Sequence, residues 1–218
     1  MDTQKFEFSP NTAHPNARAL MKEDLFWSPI DESGPFGSDA GSAAAYGFQI
    51  WRKIHTATSP IIYLEQLIDS WNFPPFAWDE LDTAKIELYI SAPAHPDQAF
   101  IAQMVDMLKK ESERYSSMPG GGKKLTDEQI RQIATNSQKN MGASYLSSIN
   151  EAIIGTAFAQ IVIEGKVDSN IKYYASKAIQ REMLPTITRQ LGQPDQVKAH
   201  NDKMNKLLQV VEKMPTQG

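Results

Sequence analysis

Apolar residues recur three and four positions apart along most of the chain, the spacing that places side chains on one face of a helix. Between residues 60 and 71 the apolar positions are Ile61, Leu64, Leu67, Ile68 and Trp71. Similar series follow Pro96, Gln129 and Asp195. Alternation typical of a strand is limited to Phe6–Phe8. The pattern therefore predicts an all-α protein, a single compact domain of about eight helices.

Several helix ends are marked by residues that bind free backbone groups. Ser59 before a proline is a typical N-cap, and Asp168 is predicted to cap a later helix. Thr126 and Gln129 form a capping box, in which each side chain accepts from the other residue's backbone N–H. Gly165 is predicted to end the helix before it, because glycine readily adopts the left-handed conformation of a C′ residue.

Residues 145–164 form a different kind of helix, because its second half is apolar nearly all round. The richest run, residues 152–163, has 12 residues, fewer than the roughly 20 of a membrane span. We therefore expect a buried central helix around which the other helices pack. The side chains expected to be almost fully buried are Ile149, Ile153, Ala157, Phe158 and Ile161.

Charge is unevenly distributed along the chain, which has 218 residues and a net charge of −4. Residues 1–114 contain 9 Lys and Arg against 17 Asp and Glu, whereas residues 115–218 contain 13 against 9. Of the 20 Phe, Trp and Tyr residues, 15 precede position 115. An acidic, aromatic surface favours a basic protein partner and argues against nucleic acid, whose phosphates require basic side chains.

The two halves meet at residues 115–125, where a proline is followed by three glycines. Such a run cannot hold a helix. It predicts either a flexible loop within one domain or a boundary between an acidic, aromatic N-terminal half and a basic C-terminal half. In both cases residues 120–124 are expected to be mobile and readily cut by proteases.

Residues 25–53 combine a loop rich in Gly, Pro and aromatic residues with a helix of small residues. Trp27 and Phe36 are expected to pack on that helix, and Ser38 or Asp39 to be its N-cap, with Asp39 preferred. The small residues allow another backbone to approach the helix closely. One expectation is that Asp31 or Glu32 pairs with Arg52 or with backbone amides, and the other is that both acids contact a partner.

This segment carries a resemblance to a known family. Trp27–Gly41 has the sequence WSPIDESGPFGSDAG and is followed by Trp51 and Arg52. Together with Ala157–Gly165, it resembles the YfeS-like group of uncharacterised bacterial proteins. The resemblance covers between a third and a half of the chain and implies a small helical cytoplasmic protein. The glycine-rich loop and the basic stretch to about Lys139 depart from the family pattern and resemble an insertion.

Familiar catalytic and metal-binding motifs do not fit this sequence. The chain has no cysteine, which excludes disulfides and thiolate metal sites. The acids of residues 31–42 do not have EF-hand spacing, and the glycine run near Lys124 does not have P-loop spacing. The four histidines have no metal-site spacing, and His14 and His95 are expected in surface loops just before helices. No cofactor is therefore expected, although a non-standard cation site at Asp31, Glu32 and Asp39 stays open.

Residues 71–78 place four aromatic side chains and two prolines within eight positions. One interpretation is a rigid corner buried between helices. The other is a surface for a protein partner that uses Phe73, Phe76 and Trp78, because aromatic rings and prolines lose little entropy on binding.

The residues favour a non-catalytic protein-binding module in the cytoplasm, of the immunity-like or antitoxin-like kind. Its acidic, aromatic surface would include Asp31, Glu32, Phe73, Phe76 and Trp78. The alternative is an enzyme of unrecognised type with an acidic, cation-binding site at Asp31, Glu32 and Asp39. The apolar pattern predicts no contact with a membrane and leaves the oligomeric state open.

Overall fold

The computed structural model describes residues 7–91, 98–118, 123–136 and 141–217, and it confirms the all-α class. Within these residues there are ten α-helices rather than about eight, because two short helices begin at Pro15 and Pro185. The helices are α1 Pro15–Leu20, α2 Asp39–Arg52, α3 Pro60–Ser70, α4 Thr83–Ser91, α5 Gln98–Ser116, α6 Asp127–Asn136, α7 Met141–Glu164, α8 Ser169–Glu182, α9 Pro185–Thr188 and α10 Pro194–Lys213.

The few strand residues form one short pair that joins the ends of two helices, and they do not form a separate sheet layer. Strand β1, Val167–Asp168, pairs in parallel with strand β2, Thr216–Gln217. This pairing ties the turn after α7 to the residues that follow α10. Lys172 of α8 adds to the same junction, because its ammonium donates to the carbonyls of Glu212 and Met214 at 2.9 and 2.8 Å. A cation is favourable there, at the negative end of the α10 dipole.

Helix α7 is the predicted central helix. Every residue from Ala152 to Val162 is buried, so this part of the helix is covered on all sides. The five side chains expected in the centre are each at most 1 % exposed. Helix α7 ends where predicted, at Gly165, which has a φ of 72° and donates its N–H to the carbonyl of Ile161.

Helix α2 crosses α7 at two glycines. A Cβ added to Gly155 would lie 2.9 Å from the Cα of Gly41 and 3.0 Å from its carbonyl carbon, closer than side chains tolerate. A Cβ on Gly41 would lie 3.3 Å from the carbonyl oxygen of Glu151. The prediction that the small residues of α2 allow a close backbone approach is therefore confirmed, with α7 as the neighbouring helix.

The capping signals in the sequence are confirmed. The Ser59 hydroxyl accepts from the backbone N–H of Ile61, and the Asp168 carboxylate accepts from Asn170 and Ile171. Thr126 and Gln129 form the predicted reciprocal capping box. Local sequence therefore sets where these helices begin, because each cap satisfies backbone donors that the first turn leaves free.

Contacts between Cα atoms divide the chain into two compact units. One contains the described residues up to Ile86 and from Tyr145 onward, and the other contains the described part of Glu87–Ser144. The core described above lies in the first unit. In the second unit α5 packs on α6, and the Ser112 hydroxyl accepts from the backbone N–H of Leu125 at 2.8 Å.

Residues 115–125 belong to the second unit, so neither division between the units falls there. Residues 119–122 lie outside the described residues, and the mobility of this loop stays a prediction. At its end, Lys124 pairs with Glu113 at 2.6 Å through exposed side chains.

Truncating Ile153 to alanine should lower the free energy of unfolding by about 2–5 kcal/mol, because it leaves a cavity in a fully covered helix. The matched control is Ile54→Ala, since Ile54 is 78 % exposed and should cost less than about 0.5 kcal/mol. Urea unfolding of both variants measures the difference. Equal losses would contradict the central position of α7.

Replacing Gly155 with alanine tests the helix crossing through the sign of the change in the free energy of unfolding. In an open helix alanine stabilises by about 1 kcal/mol relative to glycine. Here the added methyl group meets the backbone of Gly41, so we expect a net loss of about 1–3 kcal/mol, as for other overpacked positions. A variant that is more stable than the wild type in urea unfolding would show that the helices do not touch at this point.

Candidate functional site

The aromatic residues of the 25–38 loop hold it against the core. The indole N–H of Trp27 donates to the carbonyl of Met21 at 2.8 Å. Phe36 is 4 % exposed and stacks on Phe8, with ring centroids 4.5 Å apart. Phe8 in turn meets Tyr46 of α2 edge to face at 5.0 Å. Phe36 therefore reaches α2 through Phe8, and both predicted anchors are packed residues.

The N-cap of α2 is Ser38. Its hydroxyl oxygen accepts from the backbone N–H of Gly41 at 3.1 Å. Asp39 is the first residue of the helix and is exposed. The preference for Asp39 as the cap is wrong by one residue, although its charge still lies favourably at the positive end of the helix dipole.

Of the two predicted alternatives for Asp31, the bond to a backbone amide is confirmed, because its carboxylate accepts from the N–H of Ser33 at 3.1 Å. The alternative pairing of Asp31 or Glu32 with Arg52 is wrong. Asp31 pairs instead with Lys203 of α10, whose ammonium lies 2.9 Å from both carboxylate oxygens. Arg52 pairs with Glu164 at 2.5 Å, at the end of α7. These partners lie 172 and 112 positions away in the chain, so helix packing rather than local sequence brings them together.

Arg52 organises the turn between α2 and α3 as well. Its guanidinium donates to the carbonyls of His55 and Thr58 at 2.9 and 2.6 Å. It also lies over the rings of Phe48 and Trp51, at 5.2 and 5.4 Å from their centroids. Trp51 and Arg52 of the motif are therefore structural residues.

The three acids of the alternative cation site have different environments. Asp31 is held by Lys203, whereas Glu32 and Asp39 are exposed. Across the described residues, no three His, Asp or Glu side chains are grouped so that they could hold a metal ion. The geometry therefore does not assemble Asp31, Glu32 and Asp39 into one site.

The aromatic segment 71–78 is a half-buried corner in contact with the core. Phe73 stacks on Tyr145, with centroids 4.3 Å apart. Trp78 meets Tyr174 of α8 edge to face at 5.4 Å. The three rings proposed for partner binding, those of Phe73, Phe76 and Trp78, each retain some solvent exposure. The corner is thus both packed from within and accessible from outside.

Arg181 of α8 holds this corner in place. Its side chain is fully buried and donates to the carbonyl of Glu80 at 2.9 Å and to that of Trp78. Its third bond goes to the Asn150 side chain on α7. The guanidinium also lies 4.8 Å from the centre of the Phe76 ring. Burial lowers the pKa of Arg181 to about 10, so it stays protonated at neutral pH.

A polar chain extends from Arg181 to α10. The Asn150 amide donates to the Glu182 carboxylate at 2.5 Å, and the His200 ring lies 3.2 Å from the Glu182 carbonyl oxygen. Burial raises the pKa of Glu182 and lowers that of His200, because it disfavours the charged form of each. These groups join α7, α8 and α10 beneath the corner.

A groove lies between α3, the corner and α8, and we name it the α3–α8 groove. Its volume is about 440 Å³. It is lined by Ile61, Glu65, Phe76, Ala77, Trp78, Asp79, Asn170 and Tyr174. Two carboxylates thus face a groove with three aromatic rings, and its lining contains no basic side chain.

The groove includes two of the predicted partner-binding residues and omits the others. Phe76 and Trp78 line it, whereas Asp31, Glu32 and Phe73 do not. Sequence reasoning did not select Glu65, Asp79 or Asn170 for binding, because each is an ordinary exposed polar residue. For Arg181 a signal exists, since it continues the buried series Ile171, Ala175 and Ala178 of α8.

Comparison with known proteins identifies no relative. No protein-family model matches the chain, and neither a curated protein nor a solved structure is significantly similar to it.

Among the described residues, one helix satisfies the length and composition of a membrane span. It is α7, with 24 residues and a mean hydropathy of 1.4 over its most apolar window. Of that window, 78 % is buried inside the protein. A core helix has the same properties, and the burial of residues 152–162 agrees with that role.

His200 should make stability depend on pH. Its folded pKa is below the 6.5 of a free histidine, so the unfolded state takes up a proton first as the pH falls. The corresponding stability is present above pH 6.5 and is lost as the pH falls through the folded pKa. His200→Gln should therefore lose less unfolding free energy than the wild type between about pH 7.5 and pH 5.

The measurement is urea unfolding of both proteins across this pH range. Glu182 and Glu151 have raised pKa values and act in the opposite sense in both proteins. The difference between the two proteins therefore reports on His200 together with its contact to Glu182. Parallel stability curves would contradict a buried, neutral His200.

Proposed function

We propose that this chain is a non-catalytic protein-binding module that contacts a basic partner through the α3–α8 groove. The observation that carries the proposal is the presence in one groove of the Phe76 and Trp78 rings with the Glu65 and Asp79 carboxylates. Aromatic residues at the centre of an interface supply much of its affinity. Carboxylates around them steer a basic partner and select its orientation.

The rigidity of this groove supports its role as the binding site. Arg181 binds the carbonyls of Trp78 and Glu80 and stacks on Phe76, so the corner is held before any partner arrives. A preorganised surface loses less entropy on association than a mobile one. The groove is therefore a better candidate than Asp31, which Lys203 already neutralises.

The class of module is part of the proposal. An immunity-like or antitoxin-like protein would use an acidic surface to recognise a basic protein. The resemblance of residues 27–41 to the YfeS-like group supports only the small, helical, cytoplasmic part of the proposal. The rival proposal, an enzyme with a cation site, needs Asp31, Glu32 and Asp39 to converge. Their separate environments give it no support.

Site-specific photo-crosslinking tests the proposal in cells of the source organism. A benzophenone amino acid replaces Ala77, an exposed residue of the groove. The matched control position is Ala19, an exposed alanine of α1 outside the groove. We expect a protein to be crosslinked at position 77 and not at position 19, and mass spectrometry identifies it.

A charge variant provides the second arm of this experiment. Glu65→Gln combined with Asp79→Asn should reduce the crosslink at position 77 at least about five-fold, because it removes both groove carboxylates. Glu32→Gln changes an exposed acid outside the groove and should leave the crosslink unchanged. No protein crosslink at position 77, or one that ignores the double variant, would refute binding through the groove.

A further inference from the structure

The α3–α8 groove has the chemistry of a receptor for one particular side chain. We infer that it receives an arginine of the partner, an inference that rests on the proposed protein-binding function. The Glu65 and Asp79 carboxylates line the groove without a basic neighbour among its lining residues. A cationic group therefore matches the charge of the groove, because both carboxylates are negative and the basic groups that act on Asp79, Arg181 and Lys85, lie outside its lining.

The aromatic walls favour a planar cation. The rings of Trp78 and Tyr174 lie at 86° to each other, with centroids 5.4 Å apart, so two walls of the groove are nearly perpendicular. A guanidinium group can stack on one ring and direct its N–H groups in its own plane to carboxylates. An ammonium group can make the charge contact but cannot stack in this way.

The same segment already binds one guanidinium from inside. Arg181 lies 4.8 Å from the centre of the Phe76 ring and donates to two carbonyls of the corner. The Phe76 ring thus already contacts the Arg181 guanidinium. A second guanidinium, from the partner, would therefore stack on Trp78 or Tyr174. Because Arg181 also fixes the carbonyl of Trp78, it fixes the backbone that carries the receiving ring.

The volume of the groove is sufficient for a side chain. At about 440 Å³ it lies in the lower half of the range of small-molecule sites, which is roughly 300–1,000 Å³. A single arginine with the adjoining backbone fits this size. The remaining contacts of a partner would fall outside the groove.

Nuclear magnetic resonance of the ¹⁵N-labelled chain tests the inference directly. The probe is Nα-acetyl-arginine amide, and the readout is the indole N–H of Trp78, assigned with Trp78→Phe. We expect a saturable shift with a dissociation constant on the order of 1 mM, reasonable for so few atoms. The citrulline analogue has the same planar shape without the charge and should bind at least about ten-fold more weakly.

The variants provide matched controls. Glu65→Gln with Asp79→Asn should weaken arginine binding at least about five-fold, whereas Glu32→Gln should not change it. Glu65, Asp79 and Glu32 are all exposed, so these substitutions should leave the fold intact, which unchanged spectra will verify. The comparison of arginine with citrulline uses the unmodified protein and does not depend on any variant.

Three results would overturn the inference: no saturable shift of the Trp78 indole, equal binding of citrulline, or tighter binding of tetramethylammonium than of the arginine probe. The last would indicate a site for a methylated ammonium group. If the arginine probe fails while the crosslink at position 77 persists, this inference falls and the binding function stands. If the probe binds and no protein is crosslinked, the arginine site stands and the protein-binding function falls.

Discussion

Burial of residues 152–162 of α7 on every side is the constraint on which the rest of this structure depends. A helix that is apolar all round cannot face water, so other elements must cover it over its full circumference. On one side the covering helix lies very near α7, because Gly41 and Gly155 allow the backbones of α2 and α7 to come into contact. The position of α2 in turn places the 25–38 loop, whose Phe36 and Trp27 pack inward.

Two buried polar side chains, one on α7 and one on α8, organise the candidate site. Asn150 and Arg181 are buried, and their bonds extend from the helices to the carbonyls of the aromatic corner. A buried guanidinium is costly unless its donors are satisfied, and this one binds two carbonyls and an amide. The corner is therefore held from within, while its rings and the nearby carboxylates line a groove on the outside. One residue links the core to the proposed binding surface.

Much of the fold was predictable, because its signals are local. The caps at Ser59, Thr126 and Asp168 satisfy backbone groups within the next three residues. Less of the candidate site was predictable. Phe76 and Trp78 stood out as part of a dense aromatic segment, but Asp31 and Arg52 were assigned to each other and have other partners, Lys203 and Glu164. An acid and a base close in sequence carry no information on which helix surfaces will face them.

The sequence by itself determined the helical class, several helix ends and the identity of the central helix. Each of these follows from spacing, capping or composition within one segment, where the interacting groups are neighbours in the chain. The tertiary structure alone decided which charges pair and which side chains meet in the groove. Glu65, Asp79 and Tyr174 come from α3, the corner and α8, and only the packing of these elements brings them to one surface. Such a juxtaposition depends on the relative positions of whole helices, which the core around α7 determines.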